Sequence, residues 1–172
     1  MIFKKEHLLL QKAVRKFAEE EVQPYAAERE KEGAISRDLM EKLAKYKYTS
    51  PIVPKEYGGA GADYTSYVII MEEISKKCAS TGTFTTAAAS LVSSPLLNFG
   101  TEEQKQKYLT RITSGEAIGA FGLTEPGAGS DAGGQTTNAV LVGDNYVLNG
   151  RKTFITNAPI ADFAIVIAVT ER

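Results

Sequence analysis

Apolar and polar positions along this chain follow two regimes, which change near Glu116. Before it, Leu10, Val14, Phe17, Ala18, Val22 and Tyr25 recur at helical spacing with charges between them. That pattern predicts an amphipathic helix with the stripe packed inward. Pro24 falls late in it and should end or kink the helix. Ser36 reads as the N-cap of a second helix carrying Leu39, Met40, Leu43 and Tyr46. The stretch TSPIVPKEYGGAGAD is rich in proline and glycine and reads as a loop. Asp63 then caps a helix with Tyr64, Tyr67, Val68, Met71 and Ile74 expected on its buried face. From Ser80 to Leu97 there is no charge at all, which predicts a helix buried between others, bent near its end by Pro95. Thr101 and Gln104 form a capping box that opens a helix through Tyr108, Leu109 and Ile112.

From Ala117 the period becomes strand-like. AIGAFGL, TTNAVLV, YVL, RKTFITN and DFAIVIAV suggest a meander of about five strands. A turn is expected at Gly143-Asp144-Asn145 and a two-residue hairpin at Asn149-Gly150. The fold class is therefore α+β: an all-helical bundle over residues 1–116, then an incomplete antiparallel beta domain over 117–172. The last apolar strand has nothing after it to cover it. The expectation is a truncated chain, or one that needs a partner.

Composition narrows the chemistry. With 20 basic and 21 acidic residues in 172, the net charge is -1, which lacks the basic surplus of a nucleic-acid footprint. The longest apolar run, Phe163 to Val169, suits a strand; a membrane span needs roughly 18 residues. One cysteine, Cys78, and one histidine, His7, leave no disulfide framework within the chain and nearly exclude a Cys/His zinc site, a Cys-His nucleophile pair and a Ser-His-Asp triad. A reducing compartment follows, with the cytoplasm favoured over a mitochondrial matrix. His7 reads as a solvated helix residue. Cys78 ends an apolar stripe and reads as a packing residue.

The candidate chemistry lies in GLTEPGAGSDAGG, residues 122–134. Gly127 to Ala132 formally match the dinucleotide fingerprint, but a strand follows where that fingerprint needs a helix. A turn that serves geometry alone is the bland alternative. Against it stand the loop's length and its mixture of glycine-freed N–H groups, the Thr124 and Ser130 hydroxyls, and two carboxylates. Such a loop can surround a flat polar ligand by main-chain hydrogen bonds.

GLTEPGAGSD resembles the first signature of the acyl-CoA dehydrogenase family. VPKEYGGAG, FGTEEQKQKYL and NGRKTFITNA resemble further family segments in the same order, so the likeness covers the whole chain. It implies a helical amino-terminal domain, part of a middle beta domain, and a carboxy-terminal helical domain absent from this chain. The implied activity is FAD-dependent α,β-dehydrogenation of an acyl-CoA, with electrons passing to electron-transfer flavoprotein, in a homo-oligomer. By resemblance the cofactor-binding residues are Phe121, Gly122, Leu123, Thr124, Glu125, Pro126, Gly127, Ala128, Gly129 and Ser130, with Phe154, Ile155 and Thr156. Main chain and the Thr124 hydroxyl would meet the pyrimidine edge of the flavin. Ser130 would also lie near acyl-CoA, Thr156 near the hydride-accepting nitrogen, and Phe154 would cover one flavin face.

Many members carry tryptophan where this chain has Phe154. Phenylalanine occurs in bacterial short-chain members, a pointer to butyryl-like substrates. In the family, pocket depth involves residues near Tyr64–Ile74 and Ser80–Leu97. The family's catalytic base is a glutamate usually in the carboxy-terminal bundle, so no catalytic residue is assigned here. Glu125 is read as structural, and it and Asp131 are expected to tie down the loop. The 172-residue chain is expected to be inactive and to bind FAD weakly or not at all. The alternatives are a flavin-dependent oxidase or monooxygenase relative, and a non-catalytic assembly or binding half-fold.

Overall fold

The computed structural model describes residues 3–171. Seven α-helices come first: α1 (Lys5–Phe17), α2 (Ala26–Glu32), α3 (Arg37–Lys45), α4 (Tyr64–Ser75), α5 (Ala79–Thr86), α6 (Ser93–Phe99) and α7 (Glu102–Ser114). Four short strands follow: β1 (Gly119–Gly122), β2 (Asn138–Val142), β3 (Asn145–Asn149) and β4 (Phe163–Val166).

The helix starts are where their capping residues place them. Ser36 accepts the Leu39 N–H, Asp63 the Ser66 N–H, and Thr101 and Gln104 close a reciprocal box. Each satisfies donors that the first helical turn leaves unpaired. The two prolines act upstream of themselves. Before Pro24 the helix widens over Ala18–Val22 and then tightens over Gln23–Tyr25. Before Pro95 it widens over Ala87–Val92. Both are the local rearrangements expected where a helix must shed an N–H.

Two adjoining clusters make the core. Val14, Phe17, Val22, Leu39, Leu43, Ile70, Ile74 and Phe84 form the first. Val53, Tyr57, Val92, Leu96, Leu109 and Ile112 form the second. The uncharged stretch is buried as its composition demands, with Ala87, Ala89 and Val92 almost fully enclosed.

Two expectations about the helices are corrected. The buried face of α4 is Ser66, Ile69, Ile70, Glu73 and Ile74, while Tyr64 and Val68 face solvent. Apolar residues surround this helix, so periodicity alone cannot choose a face; the pairing of Glu73 with Arg15 of α1 turns it inward. His7 is buried, not solvated. Its Nδ1 accepts the Lys4 N–H at 3.2 Å, so Nε2 carries the proton toward Asp63 Oδ2 at 3.0 Å. It joins the start of α1 to the cap of α4.

In the strand portion, β2 and β3 form the antiparallel pair, with Val142 opposite Asn145. The turn between them falls where expected, with Gly143 at φ +62°, a conformation glycine adopts without strain. β1 and β4 pair in parallel, Gly119 opposite Phe163. Val169 then bridges to Asn138, so the segment after β4 touches the antiparallel pair. The α+β class holds, but the five-strand meander does not. RKTFITN is not a strand: Phe154 and Asn157 take φ of +57° and +69°, which extended backbone excludes. Nor does Asn149-Gly150 turn a hairpin. Gly150 is required for close approach, because a Cβ there would lie 2.2 Å from the Thr137 hydroxyl.

The Tyr108 and Phe163 rings meet at 4.8 Å. Asp162 accepts the Ile118 N–H at 2.8 Å. These contacts dock β4 and β1 on the helices and fix the origin of the loop that leaves β1.

Candidate functional site

The loop after β1 is held from beneath by Glu125. This residue is 5% exposed and its carboxylate points inward. Oε2 accepts the Thr136 N–H and hydroxyl at 2.7 and 2.8 Å. Oε1 accepts the Thr137 N–H and the Lys152 ammonium, both at 2.9 Å. Hydrogen bonds from Thr137 and Thr136, together with the Lys152 cation, hold the carboxyl well below the usual range. Lys152 completes the post by donating to the Leu123 carbonyl at 2.8 Å and to Gln135 Oε1 at 3.0 Å. Two opposite charges buried together with every near lone pair engaged form a rigid unit.

Above that post the chain folds on itself. The N–H of Glu125 meets the Ala128 carbonyl, and the Ala128 N–H meets the Glu125 carbonyl, at 2.9 and 3.2 Å. Ala128 is buried, whereas Pro126, Gly127, Gly129 and Ser130 face outward. Nothing lies within 4 Å of where a Cβ would stand at Gly127 or Gly129, so the outward main chain is open to approach. Asp131 is exposed and its carbonyl accepts the Gly134 N–H. It shapes the loop through its backbone, while Glu125 anchors it through its side chain.

The second segment lies beside the first. The Thr153 N–H donates to the Thr124 carbonyl at 2.9 Å, which places Phe154, Ile155 and Thr156 next to the loop. The Phe154 ring is 96% exposed and its backbone is left-handed. An aromatic residue loses about 2–3 kcal/mol of transfer energy by staying in water, and a left-handed non-glycine costs about 1 kcal/mol more. Thr156 borders a cleft of about 310 Å³ whose other wall includes Thr83, Thr86 and Leu91 from the uncharged helical stretch. Among the described residues no group of three or more His, Cys, Asp or Glu is placed to hold a metal.

The family description "Acyl-CoA dehydrogenase, N-terminal domain" matches residues 4–116, and "Acyl-CoA dehydrogenase, middle domain" matches 120–172. The chain belongs to the acyl-CoA dehydrogenase family. It is 49% identical over 168 residues to the short-chain specific acyl-CoA dehydrogenase of Clostridium acetobutylicum, covering 98% of this chain and 44% of that protein. It is 44% identical over 172 residues to a caffeyl-CoA reductase–Etf complex subunit of Acetobacterium woodii, covering 99% and 45%. A glutaryl-CoA dehydrogenase of Mycobacterium smegmatis, solved in complex with FADH2, superposes with a TM-score of 0.93 at 30% identity, covering 98% of this chain and 44% of that one. The chain thus spans about half the length of the curated relatives it matches.

Within this chain, the structure brings the two predicted site segments together, 121–130 and 154–156. It turns one predicted side chain, that of Glu125, away from the open face. Lys152, Gln135, Thr136 and Thr137 escaped the sequence reading, although they hold the loop. Lys152 carries no local signal, since a lysine between Arg151 and Thr153 in a polar run reads as solvated. Its role follows only from the fold bringing it under Leu123.

Proposed function

We propose that this chain forms one wall of the FAD site of an enzyme that removes the α and β hydrogens of an acyl-CoA thioester. Residues 1–116 would serve as its amino-terminal helical domain and 117–172 as part of its middle domain. One observation carries the reading: the Thr153–Thr124 hydrogen bond sets a fully exposed, left-handed Phe154 beside an open glycine-rich main chain. The residues fit a flat, polar, uncharged ring. Main-chain groups from Leu123 to Gly129 and the Thr124 hydroxyl would pair its edge, and donors there stabilise negative charge as it develops. Phe154 would cover a face, Thr156 would hold the ring toward the cleft, and Ser130 would meet the phosphates and the acyl-CoA. Bound there, FAD would supply the hydride-accepting chemistry.

Glu125 does not take the substrate's α-proton. Both of its oxygens are engaged inward, and a carboxylate held so acidic is a poor base at neutral pH. Its work is to fix Thr124 and the turn above it. The cleft beside Thr156 suits the acyl end of the substrate, because its helical wall is built of small uncharged residues. Homo-oligomer formation, electron-transfer flavoprotein as electron acceptor and a cytoplasmic setting belong to the same reading. Among the described residues no helix is long and apolar enough to cross a membrane. The Acetobacterium relative, a reductase by name, supports a second reading in which the same wall serves the reverse reaction.

The test is an NMR titration of the chain with FAD, which registers weak binding. Amide shifts are expected at Leu123–Ser130 and Phe154–Thr156, and they should be lost in Phe154→Ala. Shifts confined to other parts of the surface, or shifts at Leu123–Ser130 that persist unchanged in Phe154→Ala, would refute the assignment.

A further inference from the structure

Among the described residues, Arg29 is the one lysine or arginine that the fold buries. It lies on α2 and is 6% exposed. Its Nη2 donates to the Val22 carbonyl, and its Nε is enclosed without an acceptor. Nη1 has no acceptor among the described residues either, yet it is not enclosed. No described carboxylate stands within ion-pair distance of this guanidinium. Cations that are better hydrated do have such partners: Arg15 meets Glu73, Lys42 meets Glu21 and Asp38, and Lys77 meets Glu19. A buried guanidinium without a counter-ion is costly, and a carboxylate is the group that answers it best.

Two clefts reach Arg29. One is also lined by Glu21, Glu28, Glu32 and Asp38, whose charges turn an anion away. The other, of about 330 Å³, has Glu30 as the only carboxylate among its lining residues. It brings Arg29 together with Ser80 and with the apolar side chains of Ile35 and Ile160. Ser80 belongs to the first turn of α5, an eight-residue helix whose N-cap side chain makes no hydrogen bond to that turn. The unpaired N–H groups and positive end of α5 therefore add to the charge of Arg29 at this cleft.

We propose that this second cleft is a binding site for a small monocarboxylate with an apolar body. The carboxylate meets Arg29 through Nη1 and meets the first turn of α5 at Ser80, and the apolar body lies against Ile35 and Ile160. One guanidinium with Glu30 beside it favours a single negative charge over a phosphate dianion. The apolar lining favours an organic acid over a bare inorganic ion. The inference goes beyond the flavin reading and does not rest on it, since none of residues 121–130 or 154–156 lines this cleft.

The probe is benzoate, and benzamide is its control of nearly the same shape without the charge. In an NMR titration of the isotope-labelled chain, benzoate should bind with a Kd on the order of 1–10 mM, as expected of so small a ligand. It should shift the Arg29 Nε–H signal and the amides of Gly33, Ile35 and Ser80. Benzamide and inorganic phosphate should each bind at least tenfold more weakly. Arg29→Met replaces an uncompensated buried charge by an apolar chain and should lower benzoate affinity at least tenfold. Ile160→Glu changes a residue that is 41% exposed and places a second carboxylate in the cleft; it should weaken benzoate as much, and it serves should Arg29→Met not fold. An FAD titration reads Leu123–Ser130 and Phe154–Thr156 instead, so the two assignments fail separately. Benzamide or phosphate binding as tightly as benzoate, an unchanged benzoate affinity in either folded variant, or no shift at Arg29 Nε–H and Ser80 up to about 50 mM benzoate overturns the proposal.

Discussion

Replacing Glu73 by glutamine tests the electrostatic reading of the helical core. Glu73 sits on α4 with its side chain 1% exposed. It accepts from Gln11 Nε2 at 3.1 Å, from Arg15 Nε and Nη2 at 2.9 and 3.1 Å, and from Lys76 Nζ at 3.1 Å. The Arg15 hydrogen bonds, against the opposing effect of burial, and then Lys76 bring its carboxyl from 4.5 to about 2. At about 1.4 kcal/mol per unit that difference corresponds to roughly 3 kcal/mol of stability at neutral pH. Arg15 and Lys76 are each about half exposed (49% and 48%), so solvent screens part of it and about 2 kcal/mol is the expected effect. The folded carboxyl is the more acidic one. Its contribution is therefore complete above the unfolded value of 4.5 and vanishes as the pH falls through the folded value near 2. Urea denaturation followed by circular dichroism should find Glu73→Gln less stable than the parent by about 2 kcal/mol at pH 7, with the gap shrinking steadily below pH 4.5. A gap that stays constant between pH 7 and pH 3 would mean that glutamine costs packing rather than charge, and the reasoning would fail.

Two changes address the loop. Lys152→Met removes the cation from beneath Leu123 and Glu125; amide exchange of residues 123–137 should accelerate at least tenfold while α4 and α7 keep their protection, and uniform acceleration would contradict a local role. Gly150→Ala places a Cβ 2.6 Å from the Thr137 Cα; backbone cannot yield cheaply, so a loss of about 2 kcal/mol is expected in the same urea assay, and a neutral result would show that the segments lie farther apart.

What the sequence makes legible is mostly local. Ser36, Asp63 and Thr101 cap within three residues of themselves, so their roles need no knowledge of the fold. The uncharged stretch 80–97 declares its burial by composition. The helix-to-strand change near Glu116 and the Gly143 turn are equally readable. The misses share a cause: each depends on what a residue meets from far along the chain. His7 is buried because Asp63, 56 residues away, accepts from it. The face of α4 is set by Arg15, 58 residues from Glu73. Asn149-Gly150 has the form of a hairpin turn, but its glycine serves the approach of Thr137. The strand-like alternation of RKTFITN is overridden once Lys152 is drawn under Leu123. The site segments are legible through their motif resemblance, which marks Glu125 as structural but carries no account of the Thr136, Thr137 and Lys152 that it meets.

That support explains the acids in a loop built to present main chain. A glycine-rich segment gains openness at the cost of order, since each glycine has more conformational freedom to lose on folding. Anchoring it by outward side chains would occupy the surface it must leave free. Here the order comes from below: one inward carboxylate takes two successive backbone N–H groups and a hydroxyl, and one inward ammonium takes a carbonyl of the same loop. The charges neutralise each other at 2.9 Å, so the post adds no net charge beneath the open face. Combining Glu125→Gln with Lys152→Met would preserve much of the volume and the neutrality but would lose the charge-assisted bonds that hold the loop. The acids and the glycines of GLTEPGAGSD therefore do opposite halves of one task, in which Glu125 removes freedom from the backbone and Gly127 and Gly129 leave that backbone exposed.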